Sequence, residues 1–193
     1  QTAFNHGNFA RKAKKVIVDI DQAEIDKMEF NVDCPVNFDA LEFIEEALRQ
    51  SDSKRTSVSD WISVCKGWQE KYPVILDDYW NEKDIVNNYV LVDALSQTME
   101  DGDLLVPGSS GTCSEVTMQA FKIRKDIRVF NSEGLGSMGF GVPAAIGGCI
   151  ASEGKRTICI DGDGGFVMNM QELETAKRLN LPIKYFILNN GGY

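Results

Sequence analysis

The sequence predicts an α/β chain built on a doubly wound parallel sheet, and three observations carry that expectation. From residue 84 onward, short apolar runs of strand length alternate with helical patterns, the signature of βαβ units. Three glycine-rich stretches, 107–114, 134–139 and 162–165, each follow an expected strand, and ligands of open α/β sheets bind outside the carboxyl ends of strands. Gly162-Asp163-Gly164 and Asn189-Asn190 stand at two such strand ends with one helical pattern between them. A right-handed crossover brings both ends to one edge of the sheet.

The elements are expected in this order. Residues 16–21, Val-Ile-Val-Asp-Ile-Asp, form a buried strand ending in acids, and 23–27 a turn of helix. Phe38, Leu41, Ile44 and Leu48 have the spacing of an amphipathic helix over 38–49, with Asn37 as its N-cap. Residues 51–59 are a polar linker, 61–72 a helix closed by Pro73, and a domain boundary falls within 50–84. A helix over 84–99 stops near Gly102, and a strand over 103–106 enters the first glycine loop. A helix to about 122, a strand over 128–130 and the second loop follow, and a helix begins near Pro143. A strand over 157–160 enters the third loop. Asn169 and Glu172 have capping-box spacing for a helix to 178, and Pro182 precedes a strand over 184–188.

Composition narrows the function classes. The 193 residues suffice for one or two domains with a buried core. A formal charge of −9 argues against a nucleic-acid or anionic-membrane partner. The basic stretch 11–15 reads as a solvated turn before a strand. Five cysteines form no CxxC pair and His6 is the only histidine, which disfavours a zinc site and a histidine-based triad. Reduced cytoplasmic thiols are the default. The apolar run 140–151 is too short and glycine-rich to span a bilayer. The chain starts without Met and stops at Tyr193, just after its best motif, which fits a piece of a longer protein.

The site chemistry follows from residue types. A carboxylate (Asp163) and an amide (Asn190) are hard oxygen ligands, and Mg²⁺ takes one or two of those together with substrate phosphates. Glycines beside the carboxylate let a phosphate approach the backbone. A competing reading exists. Gly134-Leu-Gly136-Ser-Met-Gly139 satisfies the dinucleotide fingerprint, and Asp161 lies 22 residues after Gly139, where a Rossmann domain keeps its ribose-binding acid. Against NAD, the strand carrying this fingerprint is not the first of its domain, and Asp163, Gly164, Gly165 and Asn190 would have no role.

The GDG…NN segment, residues 134–147 and Asn169-Met-Gln-Glu-Leu173 resemble the thiamine diphosphate-dependent enzymes, most closely the acetolactate (acetohydroxyacid) synthases. The resemblance covers about 84–193, an incomplete diphosphate-binding domain. Residues 1–50 look like the end of a central domain, with 51–83 as a linker containing a helix, so the fold is expected to be truncated at both ends. It implies that Asp163 and Asn190 bind Mg²⁺ through side chains and Gly192 through its carbonyl. Gly164 and Gly165 would offer N–H groups to the diphosphate, and Gly111, Thr112 and Cys113 would contact the cofactor from the first loop. Gly136 would accept from the aminopyrimidine through its carbonyl, and Met138 would be the apolar wedge that bends the cofactor. Asp161 would be structural or lie behind the ligands, and Asn189 would position Asn190.

The function so implied is thiamine diphosphate- and Mg²⁺-dependent chemistry on a 2-keto acid, decarboxylation with carboligation. Homodimeric or homotetrameric assembly in the cytoplasm is expected. The activating glutamate is expected on another domain, so this stretch alone would be inactive. The first loop, Gly108-Ser-Ser-Gly-Thr-Cys113, departs from the Gln/His-containing loop of the synthases and resembles the Gly-Thr loops of decarboxylases. A 2-keto acid decarboxylase, another carboligase or a non-catalytic binding subunit therefore remain alternatives.

Overall fold

Two runs of branched aliphatic residues, one on each side of a helix-rich middle, seed two separate parallel sheets. The computed structural model describes residues 5–51, 57–124, 126–132 and 134–191. It divides into compact units Gln1–Ser63 and Val64–Tyr193.

In the first unit, β1 (Val16–Asp19) pairs in parallel with β2 (Cys34–Asn37), in register Val16↔Cys34 to Asp19↔Asn37. Helix α1 (Gln22–Asp26) makes the crossover, capped by the Asp21 side chain accepting from the Ala23 N–H. Strand β1 stops at Asp19 because Asp21 is committed to that cap, two residues short of the sequence expectation. Helix α2 (Ala40–Gln50) is capped by Asp39, which accepts from the N–H groups of Leu41 and Glu42. The expected cap, Asn37, is instead the last residue of β2, a strand the sequence reading missed. Its amide donates to the carbonyls of Asp19 and Ile20 at 3.1 and 2.9 Å, clamping the end of β1. Helix α3 (Ser59–Lys71) follows, with residues 59–63 in this unit and 64–71 in the second.

In the second unit, α4 (Asn88–Thr98) precedes β3 (Leu104–Pro107), α5 (Ser114–Ala120), β4 (Arg128–Val129) and α6 (Gly141–Ala151). Then come β5 (Thr157–Gly162), α7 (Asp163–Met168), a 3₁₀ turn (Met170–Glu172), α8 (Leu173–Arg178) and β6 (Ile183–Leu188). Helix α4 begins four residues later than expected. Asp84 has φ +69°, outside the helical region, and Asn87 caps the helix by accepting from the Tyr89 N–H. Strand β3 starts after Asp103, whose buried carboxylate takes a bidentate bond from Arg156 (2.9 and 2.5 Å) and so ties the start of β3 to that of β5.

The four strands of this unit are all parallel, in the order β4-β3-β5-β6. Alternation along β3 and β5 divides the core. Leu105, Ile158 and Ile160 pack with Val92, Leu95, Met99, Cys113 and Ala120 from α4 and α5. Leu104, Val106 and Cys159 pack on the opposite face against Ala145 of α6. Helices therefore cover both faces of a parallel sheet, the doubly wound α/β arrangement. Full burial of a side chain such as Leu105, 0% exposed, contributes roughly 1.5–3 kcal/mol.

Candidate cofactor site

Strand β5 ends at Gly162, whose register partner is Leu188, the last residue of β6. The next residues on the two strands, Asp163 and Asn189-Asn190, consequently leave the sheet side by side. Beneath them opens a cavity of about 880 Å³, lined by Asp163, Gly164, Gly165, Asn189 and Asn190 from this edge. Ser109, Ser110, Thr112 and Cys113 line it from the first loop, and Gly136 and Met138 from the second. The three glycine loops thus meet at the carboxyl ends of the strands, as the alternation of elements requires.

Asp163 is the first residue of α7 and half-buried. Gly162 takes the N-cap position, so Asp163 is not the capping residue. Its Oδ1 accepts from the Gly164 N–H at 2.8 Å. Gly164 and Gly165 lie in the first turn of α7, where N–H groups have no intrahelical acceptor and the helix dipole favours an anion. Asn189 accepts from the Gly191 N–H at 2.9 Å, turning the chain so that Asn190 follows at the cavity edge. Gly192, the third expected metal ligand, lies outside the described residues.

The first loop is held from below. The Cys113 thiol is fully buried, accepts from the Ser110 hydroxyl at 3.0 Å, and has its ionisation pushed up by burial. Thr112 is exposed in the same turn. Gly111 is in the loop but not on the cavity wall. Its carbonyl accepts from Glu115 and opens α5. Gly136, at φ +59°, turns the second loop, and Met138 is 55% exposed at the rim. A methionine in ordinary core packing would be covered, so Met138 is not a core side chain.

Two sequence expectations are corrected here. The residues after Gly162 form the separate helix α7, and Asn169 makes no capping bond with its side chain. That amide instead donates to the Gly139 carbonyl at 2.8 Å, and the run expected as one capped helix to 178 divides into a 3₁₀ turn and α8. The strand before the GxGxxG segment, expected over 128–130, is β4 (Arg128–Val129), one residue shorter and at the sheet edge. Sequence reading also left Asp161 without a definite task. It is 3% exposed, its Oδ1 accepts from the Gly162 N–H, and its Oδ2 has no hydrogen-bond partner among the described residues. Burial raises its pKa, against a smaller lowering by the Gly162 bond.

The donor set suits a divalent cation shared with a phosphate ligand. Among the described residues no group of three His, Cys, Asp or Glu side chains is placed to hold a metal. One carboxylate, one amide and a helix start leave the remaining positions to ligand oxygens, as Mg²⁺ prefers. No helix among the described residues is long and apolar enough to cross a membrane.

Comparison with known proteins agrees with this geometry. Residues 109–193 match the family described as thiamine pyrophosphate enzyme, C-terminal TPP binding domain. The chain is 34% identical over 185 residues to acetolactate synthase 2, chloroplastic, of Brassica napus, covering 94% of this chain and 28% of the relative. It is 33% identical to the probable acetolactate synthase large subunit of Methanococcus aeolicus (95% of this chain, 32% of the relative). It is also 33% identical to the acetolactate synthase large subunit of Corynebacterium glutamicum (95% and 29%). Residues 109–193 are thus similar to the cofactor-binding domain of thiamine diphosphate-dependent enzymes, and the chain is acetolactate synthase-like. It spans less than a third of the length of these relatives. In thiamine diphosphate-enzyme terms, the GDG segment is the β5–α7 turn and the NN segment the exit of β6.

Proposed function

We propose that the protein is a thiamine diphosphate- and Mg²⁺-dependent enzyme acting on 2-keto acids, decarboxylating one and joining it to a second carbonyl compound, in line with its similarity to acetolactate synthases. The observation that carries this is the meeting of Asp163 with Asn189-Asn190 at adjacent strand ends above one cavity. Asp163 and Asn190 would hold the cation through side-chain oxygens, with Gly192, outside the described residues, as the third expected ligand. Gly164 and Gly165, in the first turn of α7, receive the diphosphate. Thr112 and Cys113 would border the cofactor from the first loop, with Gly111 turning that loop from behind the cavity wall. The Gly136 carbonyl would accept from its aminopyrimidine, and Met138 would give it apolar support. Bound thiamine diphosphate supplies the electron sink for loss of CO₂. The protein's part is to orient it and keep water out. An activating glutamate from another domain, contributed across a homodimer or homotetramer, would complete the site. Five free cysteines suit a reducing compartment such as the cytoplasm.

A second reading, a 2-keto acid decarboxylase, is favoured by one feature. The first loop offers Ser109, Ser110 and Thr112 to the cavity where the synthases resembled here carry Gln or His. Product analysis separates the two, since a synthase turns pyruvate into acetolactate and a decarboxylase into acetaldehyde.

Calorimetric titration with thiamine diphosphate, with and without Mg²⁺ and against NAD, tests the site. Mg²⁺-dependent binding that disappears in Asp163→Ala is expected. Binding of NAD alone would overturn the reading.

A further inference from the structure

Asp161 is the one buried carboxylate on which all three glycine loops converge. A Cβ built at Gly108, where β3 enters the first loop, would overlap its Oδ1. One at Gly141, where the second loop enters α6, would lie 2.5 Å from Oδ2, and one at Gly165, in the first turn of α7, 2.6 Å from Oδ1. Real Cβ atoms do not approach that closely, so each backbone passes the carboxylate at glycine-only distance. Gly141 and Gly165 are helical positions, where alanine ordinarily stabilises by about 1 kcal/mol over glycine. At both, the space alanine needs is taken by Asp161.

An unpartnered, buried carboxylate oxygen is costly to keep, and side chains that orient ligands from behind a metal site are a recurrent reason for keeping such groups. We propose that Asp161 is a positioning residue: its carboxylate is the common stop against which the three loops close, setting where Thr112, Met138 and Asp163 stand around the ligand. The loop-anchoring part stands on the geometry alone; only the ligand readout rests on the thiamine diphosphate reading.

Two measurements on one variant set test it: hydrogen–deuterium exchange over 107–114, 134–141 and 162–168, and Mn²⁺ binding with thiamine diphosphate followed by electron paramagnetic resonance. Asp161→Ala is expected to raise exchange in all three loops together and to weaken Mn²⁺ binding about tenfold or more. Asp161→Asn, which keeps the size and the acceptor for the Gly162 N–H, restores both. Gly141→Ala raises exchange in the other two loops as well as its own, and the double variant Asp161→Ala/Gly141→Ala is no worse than Asp161→Ala. Should Asp161→Ala not fold, Asp161→Asn and Gly141→Ala carry the comparison. The proposal is overturned by additive effects of the two substitutions, by exchange changes confined to the substituted loop, or by Asp161→Asn behaving as Asp161→Ala. Loop coupling as described in a protein that binds no Mn²⁺–thiamine diphosphate leaves the anchor standing and removes the cofactor reading. Binding without loop coupling does the reverse.

Discussion

The side-chain amide of Asn169 donates to the carbonyl oxygen of Gly139 at 2.8 Å, bridging the end of α7 to the loop that carries Met138. Gly139 is at φ +72°, and a Cβ there would lie 2.7 Å from Asn169 Nδ2 and 2.9 Å from the Met168 Cβ. The two loops are therefore locked by a hydrogen bond and by a contact only glycine permits. Asn169→Ala is expected to cost about 1 kcal/mol, the net worth of one such bond. Gly139→Ala, which adds left-handed strain to a clash, should cost more, on the order of 1–3 kcal/mol. Urea denaturation midpoints measure both. Equal stability of Gly139→Ala and the parent would contradict the close approach.

Met138 separates binding from folding. A side chain 55% exposed contributes little to the core, so Met138→Ala should shift stability by less than about 0.5 kcal/mol. The same change removes the apolar support at the cavity rim and is expected to weaken thiamine diphosphate binding several-fold in calorimetry. A large loss of stability with unchanged binding would assign the residue to packing instead.

Much of this was legible in the sequence because strand periodicity and glycine punctuation report backbone needs directly. Strands β3, β5 and β6, the loops between them and the Asp163/Asn190 pairing follow from that pattern. What was not legible depends on partners distant in sequence. Asn169 has the spacing of a cap, but its amide is taken by Gly139, 30 residues away. Asn37 precedes a helical pattern, yet its amide is used 17 and 18 residues back, on β1. Strand β2 contains Pro35 and only one half-buried side chain, so it shows no apolar run. Asp161 looked like one more acid in an acidic motif. The reason for it appears only when Gly108, Gly141 and Gly165 are seen around one carboxylate.

The five thiols should divide by access. Cys34 is exposed, Cys65 is intermediate, and Cys113, Cys149 and Cys159 are buried. Burial also pushes the Cys113 and Cys159 thiols up in pKa, which lowers their thiolate fraction at neutral pH. A thiol-specific chromogenic reagent should therefore label Cys34 quickly and Cys65 more slowly, and the other three only in denaturant. Five fast thiols in native buffer would show that the packing around β3 and β5 is absent in solution.

The buried Asp161 also gives stability a pH dependence whose sign is fixed. Its folded pKa lies above its unfolded value because burial favours the neutral acid. Between the ordinary carboxylate range, near 4, and the raised folded value, the native state holds a proton that the unfolded chain has released. Stability from this group therefore falls as pH rises through that window, and the full penalty is present above it. Asp161→Asn removes the charge while keeping the volume. The stability of the variant relative to the parent is expected to rise with pH through that window, because only the parent carries the growing cost of a buried charge. Below the ordinary carboxylate range the difference should no longer change with pH, since both side chains are then neutral. Acid effects from every other carboxylate cancel in the comparison, so paired urea denaturation at several pH values isolates the term. A difference that stays flat across the window would mean that the Asp161 carboxylate is not desolvated in solution.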